Sequence, residues 1–257
     1  MINKEHNPQL DGLHVGAIAL ADAKRITCAK HYMRTWPQGA KLAFGLFFES
    51  KCVGCMVLGY APTTEGKVKK YCARITKRQY IELQRTWISD RIKHNAESWM
   101  MARVMAVLKK MGMWLVLTHS GGCKDDVGFI FQASGWLYFG STPCNDFYFT
   151  KKGEYKNVVS ATRFGRVPRE VMRAGPQAVG EHLFGPGEVV NARRHLYLYP
   201  IKKGVRRRLA KKALPPPKDP AMFRRNQQWE DGTRGADGSS VSGSNPESSA
   251  LQIITHG

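Results

Sequence analysis

Hydrophobic and polar positions fall into two regimes along the chain. KLAFGLFFES, KCVGCMVLGY and QYIELQRTWI are short apolar runs rich in β-branched and aromatic residues, which predicts three strands, the first two joined by a turn at Glu49 to Lys51. From Asn95 the period lengthens to that of a helix. Met100, Val104, Val107, Leu108 and Met111 then share one face, with Asn95 as N-cap and Gly112 just past the C-terminus. WLVLTHS predicts a further strand, GGCKDDVG a loop, and FIFQASGWLYFGS a short helix flanked by strand. Ahead of these, residues 1 to about 38 read as helical around AIALADAKRITCAKHYMRTWP, ending near Pro37, and APTTEGKVKKYCARITKR reads as a polar, basic linker facing solvent or a ligand. A hairpin, a strand, a helix and another strand, in that order, predict a mixed α/β (α+β) fold.

Beyond residue 150 the pattern weakens. VPREVMRAGPQAVGEHLFGPGEV is broken by Gly and Pro, and RRHLYLYPIKKGVRRRLAKKALPPPK joins an aromatic strand to a basic helix and a proline run. From about residue 226 the composition turns to Gly, Ser, Asn and Asp, which cannot bury enough apolar surface to order itself. The expected organisation is one catalytic domain over residues 1–220, including a basic extension at about 196–220, and a disordered tail over 221–257. With 257 residues and 42% hydrophobic content, the chain is long enough for a sizeable core.

Charge narrows the partners. Forty Lys plus Arg against twenty Asp plus Glu give a formal +20, of the sign that condenses onto polyphosphate. No apolar run approaches the roughly 20 residues of a membrane span, so double-stranded DNA is the expected partner and no membrane is. Two clusters supply the phosphate contacts: Lys69, Lys70, Arg74 and Arg78, interleaved with Tyr71 and Tyr80, and Arg206, Arg207, Arg208, Lys211 and Lys212 beside PPP. The N-terminus lacks the apolar core of a signal peptide, so the six cysteines are expected to stay reduced. Cys52 and Cys55 form a CxxC, but no second pair completes a zinc site, and the motif reads as a strand with small buried thiols.

RTWISDRIKHNAESWMMARVMAVLKKMG follows a strand and opens a helix. This order is similar to that with which acetyltransferases of the GNAT superfamily hold a pyrophosphate at a helix N-terminus, although the spaced glycines of that cradle are missing. Arg85 and Ser98 are candidates to bind an anion together; alternatively, Arg85 pairs with Asp90 and Ser98 only caps the helix.

LQRTWISD with NAESW, FIFQASGWLYFG, the early KHYMRTWP and the late HLYLYPIKKGVRRRLAKKALPPPK together resemble the Mom family of phage DNA-modification proteins, over residues 15 to 218. The resemblance implies a GNAT-like acyltransferase fold with a central mixed, mostly antiparallel sheet flanked by helices. It also implies attachment of a carbamoylmethyl group to adenine N6, protection of phage DNA from host restriction, and a phage- or prophage-encoded protein in the bacterial cytoplasm. Its motif residues fall on His31, Tyr32, Arg85, Asp90, Ser98 and Gln132. Related sequences commonly read YQA where this chain has FQA, so Phe131 lacks a phenol.

Adenine N6 is a poor nucleophile, and a base must take a proton as the new bond forms. The expected catalytic set is His31, Tyr32, Asp90, Asp125 and Asp126, the two aspartates because they sit in a glycine-flanked loop; His119 is a lone histidine at a strand end. Arg85, Ser98 and Gln132 are the expected donor-binding residues. The donor is open between an acyl-CoA-like molecule and another small molecule, and no ligand spacing fixes a metal site. Reaching N6 in an enclosed pocket requires base flipping, for which Trp87, Trp136 and Tyr138 are candidate pocket aromatics, unless they are core. Two rival readings remain: an acetyltransferase acting on a protein or small-molecule amine, and a DNA-binding relative without catalysis.

Overall fold

The computed structural model describes residues 12–92, 95–121, 126–158 and 167–218. The chain forms β1 (Leu13–Ala17), α1 (Leu20–Lys30), β2 (Ala40–Phe48), β3 (Lys51–Gly59), α2 (Thr64–Tyr71), a 3-10 turn (Lys77–Gln79), β4 (Tyr80–Ile88), α3 (Ala96–Lys110) and β5 (Leu115–Gly121). It continues through α4 (Phe129–Ala133), β6 (Leu137–Thr150), β7 (Tyr155–Asn157), α5 (Arg169–Arg173), α6 (Pro176–Phe184), β8 (Gly187–Pro200) and α7 (Lys203–Ala210). One eight-stranded sheet runs in the order β1-β2-β3-β4-β5-β8-β6-β7. Every neighbouring pair is antiparallel except β4 and β5, which run parallel because α3 carries the chain back between them. The protein is a mixed α/β fold with a mostly antiparallel central sheet flanked by helices.

Strand alternation sorts the helices between the two faces. Met56, Leu58, Ile81, Leu83, Val116 and Tyr197 point to one side and pack with Met100, Val104 and Leu108 of α3 and Phe131 of α4. Their neighbours Tyr80, Leu115, Leu117 and Leu198 point to the other, against Val68 and Cys72 of α2 and Val205 and Leu209 of α7. Cys55 and Val57 face that second side too, under Ala23 of α1. The hairpin β2/β3 turns at Glu49, whose φ of 53° is left-handed. Asn95 precedes α3 at φ 62° without a side-chain cap; Ser98 instead donates to the Asn95 carbonyl at 2.9 Å. Gly112 supplies the left-handed residue that ends α3, at φ 81°. The buried face of α3 is shifted from the expected one: Met101 and Met105 are buried, whereas Val107 and Met111 are exposed.

Three stretches differ from their sequence pattern. The start of the first helical run is the strand β1, paired Leu13 to Phe48 through Ala17 to Phe44, and the helix begins only at Leu20. The basic linker contains α2, which buries only Thr64 and Val68, one turn apart and too thin a stripe to show as a helical period. Residues past 150 contribute β8, a 14-residue strand paired on both sides, to β5 and β6.

Cys52 and Cys55 lie on β3 as free thiols, and burial pushes Cys55 up to about 12, so neither has thiolate character. Among the described residues no group of three or more His, Cys, Asp or Glu is placed to hold a metal, and no helix is long and apolar enough to cross a membrane.

Candidate functional site

β4 and β5 pair only from Tyr80 with Leu115 to Leu83 with Thr118. There the Thr118 hydroxyl donates to the Leu83 carbonyl at 2.9 Å, where the ladder stops. Beyond it β4 follows β3 as far as Ile88 and β5 follows β8 as far as Gly121, leaving a split between the parallel strands. A cavity of about 540 Å³ opens at this split, between the C-terminal end of α1, the start of α2 and the β4 and β5 ends.

A β-bulge sets what faces the cavity. Leu58 pairs with Leu83 and Val57 with Arg85, so Gln84 is the extra residue and Arg85 is turned to the α1 side, the same face as Glu82. Without that insertion strict alternation would aim Arg85 at α3. Gln84 Oε1, Arg85 Nε and Thr86 Oγ1 are buried without a partner among the described residues, three consecutive positions on the wall of the split.

Glu82 and His119 form the polar centre. Glu82 Oε2 accepts from the Thr64 hydroxyl and from the Ala61 amide at 3.4 Å, and His119 Nδ1 lies 3.4 Å from Glu82 Oε1. Burial alone would raise the Glu82 carboxyl, but His119, Thr64 and Lys67 outweigh it and hold Glu82 below the usual carboxylate range. Burial lowers His119, and the Lys67 and Arg194 charges add to this against the pull of Glu82. The pair therefore stands at neutral pH as a carboxylate facing an uncharged imidazole. Lys67, depressed by its own burial, reaches the cavity from α2. Arg194 reaches it from β8 and is ion-paired with Asp146.

Among the expected catalytic residues, His31 and Tyr32 line the cavity at the end of α1. His31 is 6% exposed, and its Nδ1 accepts from the Met33 amide at 3.1 Å. Burial, then the nearby Arg85 charge, lowers it to about 3, so it is neutral with its hydrogen on Nε2 and unsuited to accept a proton. Tyr32 stacks on it, ring centroids 4.4 Å apart, and is 53% exposed. Asp126 also lines the cavity, but its carboxylate accepts from the Ser120 hydroxyl and from the Gly121 and Gly128 amides, which ties the end of β5 to the residue just ahead of α4. Asp90 is exposed in the segment after β4 and does not line the cavity. Asp125 lies outside the described residues.

The expected donor-binding residues are not brought together. Arg85 donates to the Gln84 carbonyl at 2.7 Å and the Thr35 hydroxyl at 3.2 Å, rather than to Asp90. Ser98 bonds to the residue just ahead of its helix, and Gln132 donates to the Val127 and Pro217 carbonyls and the Tyr197 hydroxyl, fastening the segment around Pro217 to α4. Only Arg85 of the three lines the cavity. Trp136 and Tyr138 are core, Trp136 donating to Met101 Sδ, and Trp87 stays outside the lining; the aromatic walls are Tyr32, Trp36, Phe129, Phe131 and Phe147.

Lys69, Lys70, Arg74, Arg78, Arg206, Arg207, Arg208, Lys211 and Lys212 are all exposed, and α2 and α7, which carry five of them, meet over one hydrophobic cluster. Sequence reasoning missed Glu82, Thr64 and Arg194. One signal was available: Glu82 is the single charge inside the strand run YIELQ, where burial demands a partner.

The model of the Mom protein family matches residues 12–218. Methylcarbamoylase mom of Escherichia phage Mu is 24% identical over 200 residues, 77% of this chain and 79% of that one. Among solved structures, the ribosomal-protein-S18-alanine N-acetyltransferase of Escherichia coli is similar at 9% identity and a TM-score of 0.40, covering 74% of this chain and 94% of that one. IAA acetyltransferase from Bacillus cereus is similar at 12% identity and a TM-score of 0.42, covering 73% and 99%. With one family model spanning the strands, the split and the basic helix alike, the chain belongs to the Mom protein family.

Proposed function

We propose that this protein modifies DNA, transferring a carbamoylmethyl group to the N6 amine of adenine in a double-stranded substrate and so shielding phage DNA from host restriction. One observation carries the reading. In a chain of the Mom family, the split between β4 and β5 has orphaned polar atoms of Gln84, Arg85 and Thr86 on one wall and the Glu82–His119 pair beside it. An acceptor oxygen, a guanidinium N–H and a hydroxyl from consecutive residues lining one cavity suit an amide-bearing donor. Adenine, extruded from the duplex, enters from the α1 side, where the exposed Tyr32 ring offers a stacking face.

The exposed cations of α2, the 3-10 turn and α7 neutralise phosphates without reading sequence. Residues 1–220 act as the catalytic unit, with the basic extension as part of the DNA surface and the tail beyond 221 dispensable for chemistry. The protein is phage- or prophage-encoded and works in the bacterial cytoplasm.

Mass spectrometry of nucleosides from plasmid DNA of cells expressing the protein tests this directly. A deoxyadenosine heavier by a carbamoylmethyl group is expected. Unmodified deoxyadenosine beside soluble protein, or a modified cytidine or guanosine instead, would overturn it.

A further inference from the structure

The Glu82–His119 pair has the geometry of a base with its orienting carboxylate, although the two residues lie on different strands and neither belongs to the family motifs of the sequence. We infer that His119 Nε2 takes the proton from the adenine amine during group transfer, and that Glu82 positions it. The inference rests on the DNA-modification reading above and assigns that reading its base.

Glu82 is fixed first. Its Oε2 is held by the Thr64 hydroxyl and the Ala61 amide, both at the start of α2, so the carboxylate cannot swing away from β5. Its Oε1 then faces His119 Nδ1 at 3.4 Å, which selects the tautomer with hydrogen on Nδ1. Nε2 keeps its lone pair, has no partner among the described residues, and belongs to a side chain that lines the cavity. His31, the other histidine at the cavity, has its Nδ1 lone pair occupied by the Met33 amide. Asp126 has both oxygens occupied by the loop it closes. Of the cavity's imidazoles and carboxylates, His119 alone combines a carboxylate partner with an unoccupied lone pair.

The step balances without a further reagent beyond a small molecule bearing an activated carbamoylmethyl group. The N6 lone pair forms a bond to the methylene carbon while the bond from that carbon to the leaving group breaks, the pair departing with the leaving group. One N6 hydrogen passes to Nε2, and the imidazolium so formed is stabilised by the Glu82 carboxylate. The proton then leaves to the departing group or to solvent. Lys67 and Arg194 face the imidazole from α2 and β8, with Arg85 and Asp146 also on the cavity wall; burial first, then the Lys67 and Arg194 charges, hold His119 below its ordinary value before the reaction.

The test uses the full-length protein in cells, with modified deoxyadenosine per total deoxyadenosine as readout. His119→Gln keeps an amide to face Glu82 but removes the basic lone pair, and should lower modification about 100-fold or more, with melting temperature and affinity for a short duplex close to wild type. Glu82→Gln should lower it about 10-fold, and Glu82→Asp, which restores the charge, should recover most of that loss. A folded His119→Gln protein that modifies DNA at the wild-type level would sink the inference. If His119→Gln does not fold, equal activity of Glu82→Gln and Glu82→Asp would do the same, because a structural role depends on shape more than on charge. The failure of the DNA-modification reading is distinct: it would show as no modified deoxyadenosine from the wild-type protein.

Discussion

Glu82 and His119 face each other at the point where the β4/β5 ladder ends, Oε1 3.4 Å from Nδ1, with the Thr64 hydroxyl holding the opposite carboxylate oxygen. Thirty-six intervening residues, including all of α3, are needed to bring them together, and the parallel pairing of their strands puts both side chains on one face. The consequence is a largely buried polar centre whose behaviour is open to direct measurement.

Arg85 is turned into the cavity by the bulge at Gln84 and uses its planar fork on two partners, the Gln84 carbonyl and the Thr35 hydroxyl. Arg85→Lys retains charge but cannot keep both hydrogen bonds. Loss of modification by about 10-fold or more and destabilisation of about 1–3 kcal/mol are expected, read by nucleoside mass spectrometry and thermal melting. Wild-type activity in the lysine variant would show that charge alone suffices.

Acid sensitivity should begin well above the carboxylate range. His31, His119 and His195 are all held below their ordinary value of 6.5 in the folded state, so the unfolded chain binds protons that the folded chain refuses. Their contribution to stability is complete above pH 6.5 and is lost as pH falls from 6.5 toward the folded values. For His31, lowered to about 3, the loss reaches about 5 kcal/mol at the acid end. Glu82, lowered from 4.5, adds a second loss as pH falls below 4.5. Melting temperature should drop steadily from about pH 7 to about pH 5, and His31→Phe should flatten the curve. A wild-type curve that is level across this window contradicts the burial of these imidazoles as neutral groups.

Gly121 closes β5 at φ 110°, its amide donating to Asp126, and a Cβ there would lie 2.0 Å from the Arg193 carbonyl oxygen. Gly121→Ala should cost about 1–3 kcal/mol and loosen the Gly121 and Asp126 contact at the cavity wall. Gly135→Ala, also at positive φ but with nothing within 4 Å, is the control for backbone strain alone and should cost less. Equal melting temperatures of the two variants would show that the clash with Arg193 is absorbed.

The charge on α7 predicts a salt signature. Arg206, Arg207 and Arg208 are exposed there while Val205 and Leu209 anchor the helix, so replacing the three arginines by alanine should leave the fold intact. Affinity should weaken alike for unrelated duplexes, and the slope of log affinity against log salt should fall by about 0.9 for each phosphate that is no longer neutralised. An unchanged slope in an anisotropy titration would place the DNA elsewhere.

The sequence by itself determined the elements whose information is local. The apolar runs of β2, β3, β4 and β5, the helical period of α3 with Asn95 and Gly112 at its ends, and the cations of α7 are written in neighbouring residues. So are the motifs by which the family was recognised. The site was legible only in part: His31, Tyr32, Arg85 and Asp126 line the cavity, while Asp90, Ser98 and Gln132 do not. Tertiary structure alone decided the rest. One inserted residue, Gln84, reverses which face Arg85 occupies, and no composition or period announces a bulge. Glu82 looked like a charge in a strand until α2, a helix with just two buried residues, supplied Thr64 to hold it and β5 supplied His119 to face it. His31 looked like a base until folding buried it and bonded its Nδ1 to Met33. Side-chain chemistry follows from residue type, but protonation state and direction follow from what packs around the group, and that is set by segments far apart in the chain.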